Sequence, residues 1–215
     1  MHKNTVKEVY DTIANYRARH NMNAELKWSK ISNQKEEEYM ALVDLFFALN
    51  NTNHIQFHSV IFDSHKWNHS KFNNGDSDIG LSKLYYDLLL HKFVKRCGPN
   101  NSLYACLDQR NSSTSLHDVR RMINATAARD HDLHHAPLAQ LVSKDSKADC
   151  MLQMNDVILG AVCAVRNGRH LLANSRRSKK NIAEYVLEKS GLTTFDVDSP
   201  RSVNRFTIWN KQPRK

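Results

Sequence analysis

Asp149, Gln153, Asp156 and Gly160 stand at i, i+4, i+7 and i+11, so on a helix they form one stripe. Three of them lie in Met151 to Val165, MLQMNDVILGAVCAV, where Gln153, Asn155 and Asp156 are the only polar side chains. A helix this apolar on every side belongs inside a core. It is also too short, and too interrupted by Asn and Asp, to cross a bilayer. A carboxylate in such a setting is seldom buried without a partner or a metal. Asp156 therefore needs one, and Gly160 beside it leaves room for backbone or ligand to approach. The plain reading is that a neighbouring loop donates hydrogen bonds to Asp156; the chemical reading is a cation.

Two further carboxylates favour the chemical reading. Asp63 ends the β-branched and aromatic run His54 to Asp63, and Asp108 ends Leu103 to Asp108. Both runs read as buried strands. In open α/β sheets, functional groups gather at the carboxyl ends of strands, where Asp156 could join them. Converging carboxylates repel unless a cation joins them. An oxygen-only set favours Mg²⁺ or Mn²⁺. Two such ions about 3.5–4 Å apart can activate water and stabilise the leaving oxygen in phosphodiester cleavage.

The charge balance suits that substrate. Thirty-one Lys and Arg against 22 Asp and Glu give a formal charge of +9, which favours phosphate-bearing partners. No basic amphipathic helix with a bulky apolar face argues for a membrane, so nucleic acid is the expected partner. Arg166, Arg169, Arg176, Arg177, Lys179 and Lys180 follow the apolar helix directly. They read equally as a solvated face and as a track for a nucleic-acid backbone. His131, His134 and His135 invite a metal reading, since His131 and His135 would share a helical face. Their polar setting before Pro137 makes a solvated loop the better expectation. Trp28, Trp67 and Trp209 read as core or staple residues rather than base-stacking platforms.

The elements that must position these groups follow from periodicity. Val6, Val9, Tyr10, Ile13 and Tyr16 predict an opening amphipathic helix, and Ala24 to Lys30 is a short alternating segment. Asn33 and Glu36 suggest a capping box for a helix burying Tyr39, Leu42, Val43, Phe46 and Leu49. Ser64 to Asp78 reads as a long loop or flap. Leu81 to Val94 is a helix stopped by Cys97-Gly98-Pro99, and Ser115 with Asp118 caps a short helix bearing Leu116, Val119, Met122 and Ile123. Asp130 to Pro137 is a His-rich loop, Leu138 to Val142 a third strand, Ser178 to Lys189 a helix closed by Gly191, and Phe206 to Trp209 an edge strand. Strands separated by helices imply a mixed α/β sheet with crossover connections.

Residues 1–215 read as a single domain with one core. Four cysteines without CxxC pairing indicate a reducing compartment rather than a disulfide or zinc framework. The start MHKNTVKEVYD has no apolar signal region. A cytoplasmic protein is the expectation.

Leu152 to Ala161 (LQMNDVILGA) resembles the signature helix of the domain-of-unknown-function family thirty-eight hundred, whose pattern is Leu-Gln-apolar-Ala-Asp, an apolar stretch and Gly-Ala. Glu25 to Lys30 (ELKWSK), Tyr85-Tyr86 with its following leucines, Leu107-Asp108 and Ile208-Trp209 agree in order. The resemblance implies an RNase H-like fold, a mixed sheet flanked by helices, and metal-dependent nucleic-acid cleavage of the kind met in mobile-element and phage-defence settings. It makes Asp108, Asp156 and Glu25 the catalytic and metal candidates, with Asp63 added from its strand-end position. Lys27 becomes a phosphate contact or a partner for Glu25. Asn155 replaces the family's Ala. The family's opening strand, roughly Tyr-Ile-Asp-Glu-Ser-Gly, has no counterpart here. Its absence raises a second expectation: a non-catalytic nucleic-acid-binding or assembly subunit on the same scaffold, with another copy or a partner protein supplying the strand.

Overall fold

The computed structural model describes residues 3–63, 76–110 and 114–212. The protein is mixed α/β. Where the sequence suggested one domain, the chain divides into two compact units, residues 1–59 with 146–210 and residues 60–145 with 211–215. Most of the expected Ser64–Asp78 loop, and Trp67 with it, lies outside the described residues.

The first unit is mainly helical. Helix α1 (Lys3–Arg19) buries Val9, Ile13 and Tyr16, the 3.6-residue stripe of an amphipathic helix. Helix α2 (Glu36–Asn51) opens on Glu36, Glu37 and Glu38, which complement the positive end of the helix dipole. It buries Tyr39, Leu42, Val43, Phe46 and Leu49 as expected. The expected capping box does not form: a short 3₁₀ turn over Asn33–Lys35 precedes α2, and Lys35 at the cap makes no capping hydrogen bond, its ammonium donating to Glu38 at 2.7 Å instead. Strand β1 (Phe57–Phe62) starts three residues inside the predicted run and pairs with the last strand, Phe206–Lys211. There the Phe57 amide donates to the Arg205 carbonyl at 2.7 Å, and Phe57 stacks on Phe206 at 4.7 Å between centroids.

The second unit is a parallel βαβ motif with one helix before it. Helix α3 (Ser77–Leu88) starts at Asp76, whose carboxylate accepts from the Asp78 amide at 2.7 Å. It continues through a π turn at Leu89–Val94 and ends at Gly98–Asn100. Strand β2 (Leu103–Asp108) matches its predicted bounds, and helix α4 (Leu116–His131) carries the chain over to the parallel β3 (Leu138–Lys144). Helix α4 extends well past the short helix expected and takes in Asp130 and His131, so the His-rich loop begins at Asp132, which has φ +51°. The described strands thus make two two-stranded sheets.

Leu103, Ala105 and Leu107 of β2 pack on a cluster of Leu90, Val94, Val119, Ile123, Leu138 and their neighbours. The opposite face, with Tyr104, Cys106 and Val142, is exposed. That corrects the reading of β2 as a fully buried strand; its alternation is that of a sheet covered on one side. The last long helices belong to the first unit: α5 (Cys150–Arg166) and α6 (Arg177–Ser190), the latter closed by Gly191 at φ +69°. Strand β4 is Phe206–Lys211. Among the described residues no helix is long and apolar enough to cross a membrane.

Candidate functional site

The stripe on α5 is a rail that holds one segment of chain. Asp149 starts the helix by accepting from the Met151 and Leu152 amides at 2.9 and 3.0 Å, while its other oxygen accepts from the Tyr10 hydroxyl at 2.8 Å. One turn on, the buried Gln153 oxygen accepts from the Leu26 amide (3.0 Å) and Arg17 (3.1 Å). Its amide nitrogen donates to the Ser146 and Lys147 carbonyls at 2.9 and 3.0 Å. All four hydrogen-bonding valences of this buried amide are thereby satisfied. Asp156 Oδ2 then accepts from the Trp28 amide at 2.7 Å. Gly160 ends the rail: a Cβ there would lie 2.2 Å from Trp28 Cγ, so the indole occupies the space a side chain would need.

The plain reading of Asp156 is therefore the one observed: it accepts a loop amide. Its Oδ1 carries no hydrogen bond among the described residues. Helix α5 is not buried on every side, because Asn155, Leu159 and Cys163, at i, i+4 and i+8, form an exposed stripe.

The segment held by the rail continues into a basic face. Glu25 binds Lys30 at 2.7 Å and Lys27 at 3.6 Å, so Lys27 is the partner of Glu25. Lys30 and Lys27 together hold the Glu25 carboxyl below its ordinary value, against the opposing effect of burial. Arg176 donates to the Ile31 carbonyl, Asn33 Oδ1 accepts from the Ser178 amide at 3.0 Å, and Arg177 binds Glu36 at 3.3 Å. The two residues read as a capping box for α2 thus serve the first turn of α6. Lys179 Nζ lies over the Trp28 ring, 5.7 Å from its centroid. Lys179 and Lys180 have no carboxylate partner among the described residues. Arg166 binds Asp196 at 3.1 Å, and Arg169 sits in a short 3₁₀ turn near Cys163.

The other two acids belong to the second unit. Asp108 is exposed at the last position of β2, in register with Lys144, and Asp63 is exposed one residue past β1. Glu25 and Asp156 are in the first unit, so the four expected ligands are split between the two. Among the described residues, neither unit gathers three His, Cys, Asp or Glu side chains closely enough to hold a metal ion. The histidine cluster is a loop only in part: His131 ends helix α4, while His134, 89% exposed, and His135, which bonds the Gly98 carbonyl at 3.0 Å, lie in the loop after it. Sequence reasoning placed Tyr10 and Tyr39 on apolar helix faces only and passed over Arg17. Arg17 also donates to the Met22, Asn23 and Ala24 carbonyls, and Tyr39 bonds the Lys27 backbone. Side chains that bond outside their own helix leave no periodic signal within it. No family model, curated protein or solved structure matches the chain.

Proposed function

We propose that the protein is a nucleic-acid-binding module whose first unit meets the phosphate backbone through Lys27, Lys30, Arg176, Arg177, Lys179 and Lys180. One observation carries this reading. Glu25 is committed to Lys27 and Lys30 and Asp156 holds the Trp28 amide through one oxygen, while Lys179, over the Trp28 ring, and Lys180 after it have no carboxylate partner among the described residues. Cations without internal partners are what an electrostatic binding face needs. An RNase H-like scaffold is part of the proposal; the resemblance and the parallel βαβ unit support it.

A second reading keeps the nuclease. Asp156 has one oxygen that carries no hydrogen bond among the described residues, so a Mg²⁺- or Mn²⁺-assisted cleavage of DNA or RNA would be anchored there, with Asp108, Glu25 and Asp63 as the further candidates. Cleavage and binding assays on DNA and RNA with Mg²⁺ or Mn²⁺, comparing wild type with Asp156→Asn, separate the two. Asn keeps an acceptor for the Trp28 amide, so the fold is preserved. The binding reading predicts equal, salt-sensitive binding by both proteins and no cleavage dependent on Asp156. Cleavage by wild type that disappears in the folded variant establishes the nuclease instead.

A further inference from the structure

Helix α6 opens against its own dipole. Helix N-termini favour acids, yet this one begins Arg176-Arg177-Ser178-Lys179-Lys180 with no acid in its first turn. Glu36 offsets Arg177, and the Ile31 carbonyl accepts from Arg176. Nothing comparable offsets Lys179. Burial, and then the neighbouring Arg176 guanidinium, hold its ammonium below the usual lysine range. Flanking Trp28 in the chain are Lys27 and Lys30, with the single carboxylate of Glu25 shared between them. The cluster therefore has fewer anions than its cations call for.

The indole at its centre is half-buried and fixed. Its backbone amide is held by Asp156, and its ring base rests on Gly160. A held aromatic ring costs little further ordering when a ligand lands on it. Over it lies the tip of a flexible lysine. An unpaired nucleotide supplies both missing parts, a flat base for the ring and a phosphate for the ammoniums. A duplex keeps its bases stacked on one another and offers no free face.

We propose that Trp28 is a stacking platform for an unpaired base of single-stranded nucleic acid, with the Lys179 ammonium moving off the ring to the adjoining phosphate. This rests on the nucleic-acid reading above and narrows it to unpaired strands. The pairing of aromatic platform and cationic rim is the general means by which single strands are held without sequence readout.

The test is a fluorescence and anisotropy titration of the full chain with an oligonucleotide, single-stranded and as duplex, over a range of salt. Wild type, Trp28→Phe, Trp28→Ala and Lys179→Ala are compared, with thermal unfolding checking that each is folded. The expected result is a preference for the single strand and quenching of indole emission that falls in Trp28→Phe. Trp28→Ala should weaken binding by about 5- to 150-fold, the range for one lost base stack, with the salt slope unchanged. Lys179→Ala should reduce that slope by about 0.7, one phosphate contact on a single strand. Should Trp28→Ala fail to fold, the Trp28→Phe quench and the Lys179→Ala slope decide. Binding that is equal or stronger for duplex, with no quenching assignable to Trp28, overturns the stacking platform and leaves the basic face standing. No binding of either form overturns both.

Discussion

At Gly160 the missing side chain is what admits Trp28 to α5. A Cβ there would stand 2.2 to 2.7 Å from Trp28 Cγ, Cβ and Cδ2, and the Cβ among them is fixed to the backbone, so no rotamer change relieves the clash. Gly160→Ala should therefore destabilise the protein by about 1–3 kcal/mol despite the gain in helix propensity, read as a lower urea midpoint at unchanged slope. Stabilisation would mean the ring is not seated there. Glu25 allows a pH test at the same scale. Its folded carboxyl titrates below its ordinary 4.5 because Lys30 and Lys27 hold it. A depressed carboxylate contributes stability that is present above the unfolded value and lost as pH falls through the folded one. Acid titration should show loosening of residues 25–30 only below about pH 4.5, and Glu25→Gln should remove that step. Backbone amide shifts across the segment report it.

Helices were legible because their signals are local. The apolar spacing of α1, α2 and α5, the Gly191 stop of α6 and the β2 bounds all survive in the structure. Pairing and capping were less so, since the same side chain can serve a neighbour in sequence or one in space. Asn33 and Glu36 have the spacing of a capping box, but Asn33 caps α6 and Glu36 binds Arg177 and Asn181 there. Asn33→Ala should accordingly cost about 1 kcal/mol, the worth of a helix cap, and speed hydrogen exchange in the first turn of α6 rather than of α2. Faster exchange in α2 alone would contradict the assignment. Of the candidate site, the stripe on α5 and the basic run were read correctly as features. The structure realises the plain reading of Asp156, a neighbouring loop donating to it; which loop donates was not legible, because the donor is a backbone amide, and every residue type except proline carries one.

The two units of the chain carry different features. The βαβ unit has its own apolar cluster, with Ile123 wholly buried in it, and the basic face belongs to the helical unit. Ile123→Ala should cost about 2–5 kcal/mol and still leave oligonucleotide affinity within about twofold at temperatures where the protein is folded, as for independent sites. Calorimetry and anisotropy on one sample check both parts. A parallel loss of affinity would place the second unit in the binding surface.

Glu25 is the residue at which the two functional readings diverge most sharply. As a metal ligand it is indispensable; as the lone acid between Lys27 and Lys30 it competes with phosphate for them. The decisive measurement is binding and cleavage of one labelled oligonucleotide by wild type and Glu25→Gln, with Mg²⁺ present, across a range of salt. The binding module predicts that Glu25→Gln binds tighter, by about 2- to 10-fold at low salt with a slope steeper by about 1, and that any cleavage is the same in both. Cleavage by wild type that vanishes in a folded Glu25→Gln protein would contradict it and make Glu25 a catalytic ligand.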